Sequence, residues 1–146
     1  MYKHILIPVD GSDFGMGAIP DAVKLAKALG ARISALTVSV PYTAVASGAL
    51  ANRFPEEDYN KATHATAVEV LSKVEAAADA GGVPFKGYHA RDTHPWETII
   101  RTAREHGCDL IYMASHGRRG IASVLIGSET KRVLTHTDIP VLVWRG

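Results

Sequence analysis

The stretch MASHGRRG, residues 113–120, lies near the carboxyl end of the chain, and Gly127-Ser128 follows ten residues after Gly117. An apolar run of strand length, residues 109–113, leads into this stretch, and a run with a helical pattern, residues 129–135, follows Ser128. A glycine loop between a strand and a helix presents backbone N–H groups to an anion, because glycine allows close approach and the first turn of a helix has unpaired donors. The stretch therefore predicts an anion site.

Bulk composition restricts the class of protein. The chain has 146 residues, of which 47% are hydrophobic and 21% are charged, and its net charge is +1. These values predict one domain that binds neither nucleic acid nor membrane as its main partner. Cys108 is the one cysteine, which excludes an internal disulfide framework, and the first apolar run ends at Asp10, too early for a signal peptide or a membrane span. We expect a cytoplasmic protein.

Strand-like and helix-like segments alternate along the chain. Apolar runs of strand length occupy residues 5–9, 33–38, 84–89, 109–113 and 139–144. Helical patterns occupy residues 22–29, 56–80, a segment that starts at Pro95, and residues 129–135. Pro20 leaves two alternatives for the first helix, which either starts near Ala18 or has distorted first turns. Residues 41–55 have no strong period and predict a mobile loop.

This alternation predicts an α/β fold with a doubly wound parallel sheet and helices on both faces. In such sheets ligands bind beyond the carboxyl ends of the strands, where the strand order reverses. Asp10-Gly11-Ser12 follows the first strand, and the glycine loop follows the fourth. If these two strands are neighbours, both features line the same crevice.

Five short motifs together resemble the universal stress protein (UspA-like) family. They are Ile-Pro-Val-Asp-Gly-Ser at 7–12, Asp-Leu-Ile at 109–111, Ser-His-Gly at 115–117, Gly-Ser at 127–128 and Ile-Pro-Val-Leu-Val at 139–143. The resemblance covers the whole chain in order. It implies a five-stranded parallel sheet of order 3-2-1-4-5, of the adenine-nucleotide α-hydrolase-like type. The first and fourth strands would then be neighbours.

The ATP-binding branch of this family resembles Gly-x2-Gly-x9-Gly-Ser/Thr. Gly117, Gly127 and Ser128 match the second part of that pattern, whereas Ala114 stands at the first glycine. If the backbone of Ala114 is ordinary β structure, the extra methyl group costs little. If the family glycine serves close approach to the ligand, the affinity falls. We expect the first case, because the other two glycines are retained.

The resemblance also implies the ligand and the residues that hold it. The cofactor would be ATP, or ADP or AMP, with Mg²⁺ or Mn²⁺. Asp10 would accept hydrogen bonds from the ribose hydroxyls. Apolar contacts to adenine and its nucleoside would come from Pro8, Val9, Val38 and Met113. Phosphate contacts would come from Gly117, Gly127, Ser128 and, in a similar way, Thr130. A homodimer would form through residues 139–144, the run from Ile139 to Trp144.

Most of these residues also have a purely structural interpretation. Asp10 suits the turn after the first strand, and Ser128 suits the N-cap of a helix. Gly117 and Gly127 could be plain turn glycines. The alternative function, which Ala114 motivates, is a stress protein without a nucleotide that acts as a dimeric interaction module.

Catalytic chemistry has little support in the sequence. His116 invites a catalytic role, but no carboxylate or nucleophile is paired with it by spacing, and we expect it to order the loop. Two roles are open for Arg118 and Arg119, which are exposure to solvent in a loop and screening of the charge of a phosphate. The remaining histidines form no metal-ligand pattern, and neither a Walker loop nor a Gly-x-Ser-x-Gly motif occurs. We expect no catalytic residue, no protein metal site, and at most slow ATP hydrolysis.

Overall fold

The structure is a computed structural model that describes residues 1–47, 53–117 and 125–146. Its strands are β1 (His4–Pro8), β2 (Arg32–Ser39), β3 (Phe85–Arg91), β4 (Leu110–Ala114) and β5 (Val141–Trp144). Its helices are α1 (Asp13–Gly17), α2 (Ile19–Leu29), α3 (Tyr42–Val45), α4 (Glu56–Gly81), α5 (Pro95–Glu105) and α6 (Ser128–His136).

The strands form one parallel sheet in the order β3-β2-β1-β4-β5. Both the fold class and the strand order expected from the sequence are therefore confirmed. β1 lies in the centre, with Ile5 opposite Ile33 of β2 and Leu110 of β4. The carboxyl ends of β1 and β4 are neighbours, which places the Asp10 turn and the Gly117 loop at one edge of the sheet.

Two hydrophobic cores cover the two faces of the sheet. Successive residues of a strand point to opposite faces. Ile5 and Ile7 of β1 pack with the side chains of α2 and α4, whereas Leu6 packs with those of α5 and α6. All three are at most 1% exposed, which accounts for the continuous apolar run in β1.

Both alternatives for the first helix hold in part. Ser12 caps α1 by accepting a hydrogen bond from Gly15 N at 3.1 Å, and α1 ends at Gly17. α2 then begins at Ile19, with Pro20 in its first turn. The missing N–H of Pro20 costs nothing there, because the first N–H groups of a helix have no partner within the helix. The break between α1 and α2 is therefore a consequence of Pro20.

Three segments differ from the expectation. The expected loop at residues 41–55 contains the short helix α3, while its residues 48–52 lie outside the described part of the chain. The last strand begins at Val141 rather than at Ile139, because Pro140 has no N–H for the ladder and the Ile139 N–H donates to Thr137 Oγ1 at 3.0 Å. α6 begins one residue earlier than expected, at Ser128.

Candidate functional site

The loops after β1 and β4 meet at the carboxyl edge of the sheet. A Cβ atom added to Gly117 would fall on the Oδ2 atom of Asp10. A side chain at residue 117 would therefore have to displace the Asp10 carboxylate. The contact brings the Asp10 turn and the Gly117 loop together at this edge of the sheet, while a ligand crevice between them remains a prediction.

Asp10 also organises the turn that follows β1. Its Oδ1 atom accepts hydrogen bonds from the N–H of Ser12 at 3.0 Å and from the Ser12 hydroxyl at 2.6 Å. Gly11 has φ +77°, in the left-handed region that glycine tolerates. The structural role considered for Asp10 is thus present through its Oδ1 atom. The other oxygen lies at Gly117, and the ribose contact remains a prediction.

The start of α6 lies against the loop that follows β4. Gly127, rather than Ser128, is the N-cap residue, with φ −68° and ψ 164°. Its N–H donates to Ser115 O at 2.6 Å. A Cβ atom on Gly127 would lie 3.2 Å from both the Cα atom of His116 and the carbonyl oxygen of Ser115. Gly127 is a glycine because two backbone segments touch there, and its own N–H is already used.

Free backbone donors begin at the next residue. Within the described part of the chain, no acceptor is found for the N–H groups of Ser128, Glu129 and Thr130. The first turn of a helix also carries a partial positive charge. Ser128 is exposed to solvent, Glu129 is half-buried and Thr130 is buried, so the start of the helix faces solvent at Ser128.

Two side chains in this turn are engaged elsewhere. The Thr130 hydroxyl donates to Ala114 O at 3.1 Å, and Thr130 is only 2% exposed. The hydroxyl therefore ties α6 to β4, and a phosphate contact from Thr130 remains a prediction for its N–H group. The Glu129 carboxylate accepts a hydrogen bond from the Trp96 N–H at 2.9 Å, at the start of α5. The negative charge of Glu129 is thus directed to a second helix start, a contact that sequence spacing does not reveal.

The residues expected to flank adenine divide between the two faces of the sheet. Val38 and Met113 contact the same core as α5 and α6, whereas Val9 is 5% exposed in the opposite core. The N–H of Val9 donates to Leu36 O at 2.9 Å, and its carbonyl accepts from Thr37 Oγ1 at 3.1 Å. Val38 and Met113 therefore share one side of the sheet.

Pro8, the last of the expected adenine contacts, is half-buried at the end of β1. Contacts from these four residues to a nucleotide remain predictions.

Ala114, where the ATP-binding pattern has glycine, has ordinary strand geometry. It is the last residue of β4 and lies opposite Trp144 of β5. Every described residue with positive φ is a glycine, so Ala114 has none of the backbone strain that would require glycine. Its side chain packs against the core formed with α2 and α4, the opposite face from Met113. Ala114 therefore has the ordinary β conformation that was expected, and the second half of that expectation, that a ligand is not pressed against its methyl group, remains a prediction.

An aromatic stack holds the loop after β4. The rings of Phe14 and His116 are 3.8 Å apart and nearly parallel, at 15°. His116 Nδ1 also shares a hydrogen bond of 3.1 Å with Ser115 Oγ. Phe14 contacts Trp144 in turn, with ring centroids 5.2 Å apart. His116 therefore orders the loop, as expected, whereas Arg118 and Arg119 lie outside the described residues.

Other types of functional site have little support in the described chain. Residues 1–47, 53–117 and 125–146 contain no group of three or more His, Cys, Asp or Glu that could hold a metal. Nor is any described helix long and apolar enough to cross a membrane. A surface depression of about 650 Å³ lies along α4 and includes none of the expected site residues. Burial raises the pKa of the Cys108 thiol to about 11, so this cysteine is a poor nucleophile.

The universal stress protein family model matches residues 1–145. A universal stress protein from Thermus aquaticus is 32% identical over 146 residues, covering 99% of this chain and 100% of that protein. The solved structure of the universal stress protein UspA from Lactobacillus plantarum has a TM-score of 0.76 and 29% identity, covering 99% of this chain and 98% of that one. The chain belongs to the universal stress protein family.

Two further solved structures share the fold and contain adenine nucleotides. A universal stress protein in complex with cAMP has a TM-score of 0.72 and 21% identity, covering 99% of this chain and 97% of that one. The universal stress protein from Archaeoglobus fulgidus in complex with dAMP has a TM-score of 0.66 and 19% identity, covering 97% of both chains. At these identities the likeness extends to the fold alone.

Proposed function

We propose that this protein binds an adenine nucleotide, ATP or else ADP or AMP, in the crevice between β1 and β4, and that occupancy of this crevice regulates a role in stress resistance. The observation that carries the proposal is the set of three N–H groups at Ser128, Glu129 and Thr130, which have no acceptor in the described chain. They lie beside the loop in which Gly117 touches Asp10. Backbone N–H donors at this edge of the sheet suit a phosphate, and a carboxylate at the same edge suits a ribose.

The chemistry of the two ligands in the fold neighbours supports this assignment. cAMP and dAMP share adenine and a phosphate, but they differ in the sugar hydroxyls that remain free. In this chain the donors of α6 would hold the phosphate, with the N–H groups of Ser128 and Glu129 nearest to solvent. Val38 and Met113 would cover one face of adenine. Asp10 would then bind the ribose of those nucleotides that carry free hydroxyls.

Mg²⁺ or Mn²⁺ would enter with a triphosphate rather than through a protein site. The described residues provide no cluster of three metal-binding side chains. Mg²⁺ is commonly held by phosphate oxygens and water with few protein ligands, so the donor set present is compatible with a nucleotide-borne ion.

A homodimer through residues 139–144 is part of the same proposal. β5 is the last strand of the sheet order, and no described strand pairs with its outer side. Leu142 is 37% exposed, and its neighbours Val141 and Val143 are half-buried. An apolar strand with an unpaired edge is stabilised by pairing with a second copy of itself.

One observation favours the alternative of an interaction module without a nucleotide. The Gly127 N–H and the Thr130 hydroxyl both have acceptors within the protein, so part of the expected phosphate contact is satisfied without a ligand. The two functions are separated by heat-denaturing the purified protein, identifying any released nucleotide, and measuring the melting temperature with ATP and Mg²⁺. The nucleotide proposal predicts released adenine nucleotide or a raised melting temperature. If neither effect is observed, the interaction module is the function that remains.

A further inference from the structure

Two histidines face each other at the carboxyl end of β3. His64 lies on α4 and His89 on β3, and their Nδ1 atoms are 3.2 Å apart. The ring centroids are 5.4 Å apart and the planes are inclined by 35°. A lone pair of one ring is therefore directed at the matching atom of the other.

This separation matches the spacing of two ligands on one metal ion. Imidazole nitrogens bind Zn²⁺ at about 2.0–2.1 Å with tetrahedral angles, which places two such nitrogens about 3.3–3.4 Å apart. We propose that His64 and His89 form a binding site for a divalent transition-metal ion of the Zn²⁺, Cu²⁺ or Ni²⁺ class, with the Nδ1 atom of each ring as ligand. These ions suit imidazole ligands, whereas Mg²⁺ and Ca²⁺ require oxygen.

Ser39 orients one of the two ligands. Its hydroxyl oxygen is 2.8 Å from His89 Nε2. When Nε2–H donates to Ser39, Nδ1 of His89 carries a lone pair on the side of His64, where it is available to a metal ion. With His89 in that tautomer and no metal bound, the contact between the two Nδ1 atoms requires the Nδ1–H group of His64 as its donor. On metal binding this proton moves to the solvent-exposed Nε2 of His64, so the ring stays neutral and no net proton is released.

The surroundings admit an ion and keep the local charge near zero. His64 is exposed and lines the depression of about 650 Å³ along α4. The carboxylates of Glu56 and Glu57 line the same depression. Two cations balance them: Lys61 pairs with Glu57 at 3.0 Å, and Arg91 donates to the Asn60 carbonyl at 3.1 Å.

The proposed site is open rather than closed. No third His, Cys, Asp or Glu of the described chain completes the set with these two rings, so water fills the remaining positions. Such a site binds more weakly than a closed four-ligand structural zinc site. The ion would bridge α4 and β3 and stabilise their packing. Ser39 directly follows Val38, but α4, which carries His64, covers the face of the sheet opposite to Val38. The site therefore does not depend on the proposed adenine contacts of Val38 and Met113.

The test uses the full chain, freed of nucleotide and metal, and titrates ZnCl₂ by calorimetry. One equivalent is expected to bind to the unaltered protein. His64→Gln changes an exposed residue and should weaken binding by at least about 10-fold, the loss caused by removing even an outer partner of a metal ligand. His89→Gln should do the same. His94→Gln, at an exposed histidine outside the pair, is the matched control and should bind like the unaltered protein.

A second measurement separates the pair from general surface binding. Zn²⁺ should raise the melting temperature of the unaltered protein and of the His94→Gln variant, but not that of His64→Gln. Equal Zn²⁺ affinity in His64→Gln and the unaltered protein would overturn the proposal, as would the absence of saturable binding. Because no nucleotide is present, neither result bears on the ATP site.

Discussion

The carboxylate of Asp10, after β1, lies against the α-carbon of Gly117, after β4, so that any side chain at residue 117 would collide with it. The two residues are far apart in sequence and meet only because β1 and β4 are neighbours. This contact explains Gly117 without reference to any ligand. It also places a carboxylate beside the open start of α6, which is the geometry that the nucleotide proposal requires.

Gly117→Ala should destabilise the protein through Asp10. The added methyl group displaces a carboxylate that Ser12 holds with two hydrogen bonds, at 3.0 and 2.6 Å. Losing them should lower the free energy of unfolding by about 1–2 kcal/mol, measured by urea titration. In an Asp10→Ala background the same substitution should cost much less. An equal cost in both backgrounds would show that the contact is not the cause.

Ala114→Gly should not improve nucleotide binding. Ala114 has strand geometry, and its methyl group packs against the core with α2. Restoring the family glycine should lower the free energy of unfolding by about 0.5–1 kcal/mol and leave the affinity for ATP unchanged within error. Urea titration and calorimetry measure the two effects. A gain of about tenfold in affinity, or 1.4 kcal/mol, would mean that the methyl group obstructs the ligand.

Acid should destabilise the fold through His4. His4 is 6% exposed, and its Nε2 atom shares a hydrogen bond of 2.7 Å with Ser34 Oγ. Burial, followed by the charge of Arg32, lowers the pKa of His4 from its ordinary value of 6.5. The unfolded chain then binds the proton more readily than the folded chain. The contribution of His4 to the free energy of unfolding is therefore complete above pH 6.5 and is lost as the pH falls towards the lower pKa of the folded state.

The measurement is the free energy of unfolding at several pH values between about 7.5 and 5. His4→Gln, which keeps a polar group near Ser34, should reduce the decline in this range. Burial also lowers the pKa of His89, so part of the loss of stability at low pH should persist in the His4→Gln variant. An unchanged pH profile in His4→Gln would exclude His4 as a source.

A charge on the outer strand should produce monomers. Leu142 is 37% exposed on β5, whereas Val141 packs against the core with α5 and is a poorer site for the test. Leu142→Glu should place like charges together in the proposed symmetric pair, and light scattering after size exclusion should then give the monomer mass. Leu134→Glu, at a 42% exposed residue of α6, is the control. An unaltered mass in the Leu142 variant would exclude pairing through β5.

The sequence predicted the order of strands and helices because apolar runs and helical periods alternate along the chain. The strand order came from the family resemblance, and the model of that family matches almost the whole chain. The shorter β5 followed from Pro140, whose effect on a ladder is local and could have been anticipated. Strand alternation also explains why Val9 lies on the face of the sheet opposite to Val38 and Met113, once the register of each strand is known.

Contacts between distant segments could not be predicted. The stack of Phe14 on His116 joins residues of α1 and of the β4 loop, and no spacing relates them. The Gly127 N–H likewise finds Ser115 only after α6 has packed against that loop. Both contacts depend on tertiary packing, which overrides local preference. The second of them removes the Gly127 N–H from the donors that remain for an anion.

The central claim is that the N–H groups at the start of α6 bind the phosphate of an adenine nucleotide, and Ser128→Pro tests it. Proline removes the N–H of residue 128 and is well tolerated at the first position of a helix. Gly127 has ψ 164°, the extended geometry that a following proline requires. Ser128→Ala is the matched control, because it removes the hydroxyl and keeps the N–H.

Calorimetric titration with ATP and Mg²⁺ compares the unaltered protein with the two variants. A hydrogen bond to a charged group contributes about 1.5–3 kcal/mol, so Ser128→Pro should weaken ATP binding by about 10-fold or more, while Ser128→Ala should change it much less. Unchanged unfolding free energies would show that the helix is intact in both. If Ser128→Pro binds ATP as tightly as Ser128→Ala and the unaltered protein, the start of α6 does not hold the phosphate.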